Sequence, residues 1–223
     1  MIASTIDHTL LSSTATEDAI RTLCSEAQQW HFATVCVNPL QVALAVHELR
    51  GSDVGVASVI GFPLGATTTA TKITETLGAL EAGASEIDMV GALGLLKGNA
   101  LGRYRDDIAA VIEVARRINE AVVIKIILET GALTREEKLL AARVAVDCGA
   151  DFVKTSTGMG AGGATVEDVH LLRSTIPGHV QVKASGGIRT LAQARSLLDA
   201  GASRLGTSAG VTIVRDEQRA TAS

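Results

Sequence analysis

Aromatic side chains are nearly absent: Phe, Tyr and Trp make up 2% of the 223 residues, although 47% of the chain is apolar. A core of that kind has to be built from Val, Ile, Leu and Ala, the aliphatics that fill β/α barrels. With no stacking surface, no basic run and a formal net charge of −4, nucleic acid is excluded as a main partner. Cysteines are few and odd in number. Cys24, Cys36 and Cys148 form no CxxC pair and no metal-ligand spacing, which argues against a disulfide scaffold or a zinc module and for reduced thiols in a cytoplasmic setting. No apolar run approaches the roughly 18 residues that span a bilayer, so a membrane partner is not expected. The first residues, with Asp7 and His8, lack the basic-then-apolar order of a secretory signal. No Pro/Ser-rich linker interrupts residues 1–223, which read as one domain ending in a polar tail, 215–223, expected to fray.

What is present is a recurring element. Glu81-Ala82-Gly83-Ala84-Ser85-Glu86-Ile87, Asp147-Cys148-Gly149-Ala150-Asp151-Phe152-Val153 and Asp199-Ala200-Gly201-Ala202-Ser203-Arg204-Leu205 each close a helical stretch with a glycine suited to a left-handed end, then enter a strand. Strands are expected at Thr5–His8, Thr34–Val37, Val54–Ile60, Glu86–Val90, Val122–Leu128, Phe152–Thr155, Val180–Ala184 and Arg204–Gly206. Helical patterns separate them at Glu17–Trp30, Pro39–Arg50, Thr69–Ala82, Arg103–Asn119, Arg135–Cys148, Val166–Ser174 and Leu191–Ala200. Strands alternating with helices make βα units and a parallel sheet. Eight of them in this length fit a single-domain (β/α)8 TIM barrel. A doubly wound open sheet is the competing fold, but no GxGxxG follows the first strand.

Barrel enzymes carry their chemistry at the C-terminal ends of the strands. Asp7, Asp88, Lys154 and Lys183 stand there against strand propensity, with Lys125 nearer the middle of its strand. Lys154 follows Asp151-Phe152-Val153, and Lys183 follows Val180-Gln181-Val182. If these strands are neighbours, two ammonium groups face one crevice. At about 4 Å and an effective dielectric near 20, their repulsion is roughly 4 kcal/mol. Together with desolvation, that lowers a lysine's pKa toward neutrality and frees an amine that can attack a carbonyl. Either lysine could instead neutralise an anion in the barrel mouth. Asp88 reads as a proton carrier for carbinolamine chemistry or as a buried counter-ion of Lys125 or Lys183. Asp7 and Thr9 can hold a water or a lysine. Cys36 can line the mouth or lie buried and inert.

Ala184-Ser185-Gly186-Gly187-Ile188 precedes a helix, and Gly206-Thr207-Ser208-Ala209-Gly210 follows the last strand. Backbone amides in the loops after strands 7 and 8 of a barrel recurrently bind phosphate, although tight glycine turns would look the same.

Taken together, eight segments resemble the deoxyribose-phosphate aldolase family. They are Ile6-Asp7-His8-Thr9, Val35-Cys36-Val37-Asn38-Pro39, Gly61-Phe62-Pro63-Leu64-Gly65, Glu86-Ile87-Asp88-Met89-Val90, Lys125-Ile126-Ile127-Leu128-Glu129-Thr130, Phe152-Val153-Lys154-Thr155-Ser156-Thr157-Gly158, Val182-Lys183-Ala184-Ser185-Gly186-Gly187-Ile188-Arg189 and Gly206-Thr207-Ser208-Ala209-Gly210. The resemblance implies a lyase of deoxyribonucleotide catabolism and carbohydrate degradation: a class I aldolase with no metal and no other cofactor. Its partners would be small phosphorylated sugar and aldehyde substrates, and it would be a possible homodimer. It also implies Lys154 as the Schiff-base nucleophile, Lys183 as the neighbour that depresses its pKa and Asp88 as the general acid/base working through a water. Asp7, Thr9, Cys36 and Lys125 would support them, and Gly158, Gly186, Gly187 and Ser208 would bind phosphate. Two departures stand out. Met159 occupies a position where some members place a phosphate-holding lysine. The chain also ends in Ala220-Thr221-Ala222-Ser223 rather than in the tyrosine with which some members assist proton transfer, so that step falls to water and Asp88 or belongs to a longer tail. The rival activities are a sugar-phosphate isomerase that uses Asp88 and Asp7 without a covalent amine, and a sugar-phosphate sensor without turnover.

Overall fold

The structure, a computed structural model, describes residues 2–160 and 162–222. Eight parallel strands close into a barrel in chain order: β1 (Ile6–Leu10), β2 (Thr34–Val37), β3 (Gly55–Ile60), β4 (Glu86–Val90), β5 (Val123–Ile127), β6 (Phe152–Lys154), β7 (Gln181–Ser185) and β8 (Arg204–Thr207). The helices are α1 (Glu17–Trp30), α2 (Val42–Glu48), α3 (Thr69–Glu81), α4 (Leu93–Lys97), α5 (Leu101–Ile118), α6 (Arg135–Asp147), α7 (Val166–Thr175), α8 (Leu191–Asp199) and α9 (Gly210–Ala222). The TIM barrel expected from the strand–helix alternation is therefore the fold, and the open sheet is not.

Local chemistry starts and stops the units. Thr16, Thr68, Thr134, Thr165 and Thr190 each accept a backbone N–H from the first turn of the following helix. Thr134 with Glu137, and Thr190 with Gln193, form reciprocal capping boxes. At the other ends, Gly83, Gly149 and Gly201, the glycines of the recurring element, take φ of 99, 92 and 109°, the left-handed conformation that closes a helix.

Three expectations need correction. Pro39–Arg50 is not one helix but a 3-10 turn, Pro39–Gln41, followed by α2. β1 begins one residue later than expected because Ile2–Thr5 winds into a 3-10 turn closed by a Thr5 hydroxyl bond to the Ile2 carbonyl at 2.7 Å. Residues 215–222, expected to fray, continue α9. Ile213 and Val214 anchor that helix in the core, and Glu217 accepts the Ile2 N–H at 3.0 Å. Ser223 lies outside the described residues.

The core also differs from expectation. Branched aliphatics were expected to fill the barrel, but they line its outer face. Ile6, Ile87, Ile124, Ile126, Val153 and Val182 pack in the large apolar cluster beneath the helices. Strand residues alternate between faces, so their neighbours in sequence point inward, and these are mostly charged: Asp7, Glu86, Asp88, Lys125, Lys154, Lys183 and Arg204. Among the described residues, Cys36, Ala57 and Val59, with Leu11 and Phe62 packed against them, make a small apolar cluster apart from the main core.

Candidate active site

The register pairs Lys154 of β6 with Lys183 of β7, and Asp88 of β4 with Lys125 of β5. The resulting network crosses the barrel. Asp88 Oδ2 accepts from both Lys154 Nζ and Lys183 Nζ at 2.7 Å, and its Oδ1 accepts from Lys125 Nζ at 2.8 Å. Lys183 also pairs with Asp7 Oδ2 at 2.5 Å. Beneath it, Arg204 reaches Asp7 at 2.6 Å and Glu86 at 3.2 Å, while Lys125 reaches Glu86 at 2.5 Å.

Lys125, Lys154, Lys183 and Arg204 face three carboxylates: Asp7, Glu86 and Asp88. With every group in its ordinary ionised form, this largely buried network holds one surplus positive charge, and loss of one proton removes it. The electrostatics single out the group that would lose it. Burial pushes the Lys154 amine down, repulsion from Lys183 adds to that, and Asp88 only partly opposes them, so its pKa lies below the usual lysine value. Burial is thus the larger cause and Lys183 the second, the reverse of the emphasis in the sequence reading. Burial acts on Lys183 in the same direction, but Asp7 and Asp88 outweigh it and hold that ammonium above its usual range. Lys125 is likewise raised by Asp88 and Glu86 against its burial. Burial would raise Asp88, but the three lysines drive its carboxyl well below the usual carboxylate range.

Lys154 is also the member of the network that lines the cavity at the C-terminal ends of the strands. This cavity, of about 390 Å³, is lined by Lys154 and by the loops after β6, β7 and β8. Gly158, Gly186, Gly187 and Ser208 all lie on its wall, with Met159 and Arg189 beside them. The backbone N–H groups of Gly158, Gly187 and Ser208 donate to no acceptor among the described residues, which leaves donors on this wall without a protein partner.

The remaining predicted residues are placed as follows. Thr9 lines the cavity, but its hydroxyl donates to the Asp7 carbonyl at 2.8 Å rather than contacting Lys183. Cys36 is fully buried among Ala57 and Val59, and burial pushes its thiol up, the inert alternative. Glu86, Arg204 and the cavity-lining Arg189 were not singled out from the sequence. The spacing Glu86-x-Asp88 would have found Glu86, since two acids that far apart share one face of a strand.

The network also predicts acid sensitivity. Although burial pushes the Asp7 carboxyl up, Lys183, Lys125 and Arg204 together bring it down to about 2 from 3.8. A depressed carboxyl stabilises the fold fully above its unfolded value and loses that contribution as pH falls through its folded one. The melting temperature should therefore hold as pH falls to about 4 and drop between about pH 4 and 2, with Asp7 alone contributing about 2 kcal/mol. A thermal melt series checks this. A main loss between pH 6 and 5 would mean that other groups dominate.

Fold and site together define a barrel aldolase. A family model described as DeoC/LacD family aldolase matches residues 1–217, and the chain belongs to that family. It is 52% identical over 214 residues to the deoxyribose-phosphate aldolase of Carboxydothermus hydrogenoformans, covering 96% of this chain and 94% of that one. It is 51% identical over 218 residues to the enzyme of the same name from Halalkalibacterium halodurans, covering 97% and 96%. Among solved structures, the tetrameric deoxyribose phosphate aldolase of Aeropyrum pernix superposes with a TM-score of 0.91 at 34% identity, covering 97% of this chain and 91% of that one.

Proposed function

We propose that the chain is a class I aldolase that reversibly cleaves 2-deoxy-D-ribose 5-phosphate into acetaldehyde and D-glyceraldehyde 3-phosphate, with Lys154 as the Schiff-base lysine. One observation carries this assignment. Lys154 alone combines a lowered pKa with a place on the cavity wall among the buried lysines that contact Asp88.

The neutral Lys154 amine attacks C1 of the open-chain sugar to give a carbinolamine, which loses water to become an iminium. Removal of the C3 hydroxyl proton lets the C2–C3 bond break. Its electron pair flows into the iminium, and glyceraldehyde 3-phosphate departs, leaving an enamine. Protonation at C2 and hydrolysis release acetaldehyde and return the amine. Asp88 is the nearest acid/base. Held ionised by three lysines, it accepts hydrogen bonds in the resting site. Its proton affinity rises whenever Lys154 is neutral, because one of its three cations is then gone. Water relays the proton to the substrate. An isomerase working through Asp88 and Asp7 as free bases fits less well, since both carboxyls are held low by neighbouring cations.

The phosphate lies against Gly158, Gly186, Gly187 and Ser208, with Arg189 supplying a full charge on a wall where Met159 supplies none. Reduced Cys24, Cys36 and Cys148 agree with a cytoplasmic enzyme, and a homodimer is the proposed assembly, to be checked by sedimentation.

Trapping tests the assignment. Borohydride added to enzyme and acetaldehyde should reduce an imine on Lys154, mapped by peptide mass. An unmodified Lys154 in an enzyme that still turns over would sink it. A second expectation concerns Lys183→Leu. The change removes a repelling charge and leaves Asp88 freer to hold the Lys154 ammonium, so both effects raise the Lys154 pKa. At about 5 Å and an effective dielectric of about 20 the repulsion is about 3 kcal/mol. Accordingly kcat at pH 7 should fall by about 10²-fold and recover toward higher pH. An unchanged pH–rate profile would contradict the pairing.

A further inference from the structure

Glu129, just beyond the end of β5, has no part in the ion network, yet it is buried and strained. Its backbone is left-handed, with φ 53° and ψ 61°, a conformation that a non-glycine residue rarely adopts unless its surroundings impose it. The surroundings are visible. The Leu128 and Thr130 amides, on either side, donate to the Lys154 and Thr155 carbonyls, both at 2.9 Å, so the chain is fastened to the end of β6 before and after Glu129. The turn between these bonds delivers the Glu129 carboxylate to the loop that follows Lys154. Its Oε2 accepts from the Thr157 hydroxyl at 2.5 Å and from the Thr157 amide at 3.2 Å. With its proton directed to Glu129, that hydroxyl accepts the Met159 N–H at 3.1 Å. Gly160 packs directly on the carboxylate, where an added Cβ would lie 2.9 Å from Glu129 Cδ. Gly158, held between these anchors at φ 80°, abuts Gly186 across the cavity wall.

We propose that Glu129 is a positioning residue for the phosphate end of the cavity. It holds Thr157–Gly160 so that the Gly158 amide and the Gly186-Gly187 turn converge on one anion. The inference rests on the function proposed above and adds a specificity determinant to it. Glu129 does not touch the imine carbon, so its effect falls on binding of the phosphorylated end and not on the lysine chemistry.

The test compares 2-deoxyribose 5-phosphate with unphosphorylated 2-deoxyribose in the full-length enzyme. Glu129→Ala should raise KM for the phosphorylated sugar by about tenfold and leave kcat within about threefold. The kcat/KM for the unphosphorylated sugar should change by less than about twofold. Glu129→Gln, whose amide oxygen can accept both Thr157 bonds, should keep KM near the parent value. Glu129→Gly, which adopts the left-handed backbone freely but lacks the carboxylate, should behave like Glu129→Ala. Thr157→Val removes the hydroxyl from the other side of the contact, and combined with Glu129→Ala it should add little. If Glu129→Ala fails to fold, Glu129→Gly and Thr157→Val answer the question. An unchanged KM in Glu129→Gly, or an equal fall in kcat/KM for both sugars, would overturn the proposal. Acetaldehyde trapping keeps the two readings apart: a parent enzyme that forms no imine on Lys154 refutes the proposed function, whereas a parent that does, with variants of unchanged KM, refutes only the role of Glu129.

Discussion

Lys154→Met is expected to abolish imine trapping and to lower kcat by at least about 10⁴-fold while leaving the fold intact. Methionine matches the length and apolar stem of lysine without its charge. In the resting enzyme the Lys154 ammonium is the surplus cation of the barrel, and Asp88 keeps Lys125 and Lys183 when it is removed. The sign of the stability change follows from the same imbalance. A lysine whose pKa falls on folding makes the folded state less favourable as pH drops below the unfolded value, so deleting the amine relieves a cost at neutral pH. The melting temperature of Lys154→Met should equal or exceed that of the parent. Loss of activity together with a raised or unchanged melting temperature separates removal of the nucleophile from collapse of the site. Residual turnover within about 10²-fold of the parent, or an imine trapped on another lysine in an active variant, would contradict the assignment.

The two lysines, Asp88 and Asp7 were legible in the sequence because a charged residue inside an apolar strand is conspicuous and the barrel rule says where it must point. The (β/α)8 order was legible because the recurring glycine element punctuates it. The interior was not. Aliphatic content shows how much apolar surface a chain can bury, not which face of a strand buries it. Ile87 and Asp88 are neighbours in sequence but lie on opposite faces of β4, so the same strand serves the core and the site. Glu129 and Arg204 were passed over for a related reason. Neither sits in a run that marks it as unusual, and the role of each depends on partners far away in the chain: Thr157 for one, Asp7 and Glu86 for the other. The helical continuation of residues 215–222 was hidden because their polarity describes the exposed face of α9, while the contact that fastens them, Glu217 to the Ile2 amide, joins the two ends of the chain.

The same network makes Asp88 its most consequential member after Lys154, and Asp88→Asn is expected to damage stability and chemistry together. The parent barrel holds four cations against three carboxylates, and the variant would hold four against two. Lys125, Lys154 and Lys183 all lose their shared partner at 2.7–2.8 Å. Removing one side of a buried ion pair typically costs about 3–5 kcal/mol, which in a domain of this size lowers the melting temperature by roughly 10 °C. That deficit should shrink as pH falls well below 3.8, where protonation of Asp88 deprives the parent of the same contribution. The kinetic signature runs opposite to that of Lys183→Leu. Asp88 raises the pKa of each lysine it touches, so its loss lowers that of Lys154 further, and the acid limb of kcat/KM should move to lower pH. The plateau should nonetheless fall by about 10²–10³-fold, because the proton relay has lost its terminus. Lys183→Leu moves the same limb to higher pH. Opposite displacements in the two variants, measured on one substrate under one set of buffers, would tie the reactivity of Lys154 to the balance between its two nearest charges. No displacement of the limb in either variant would show that its pKa is governed by burial alone.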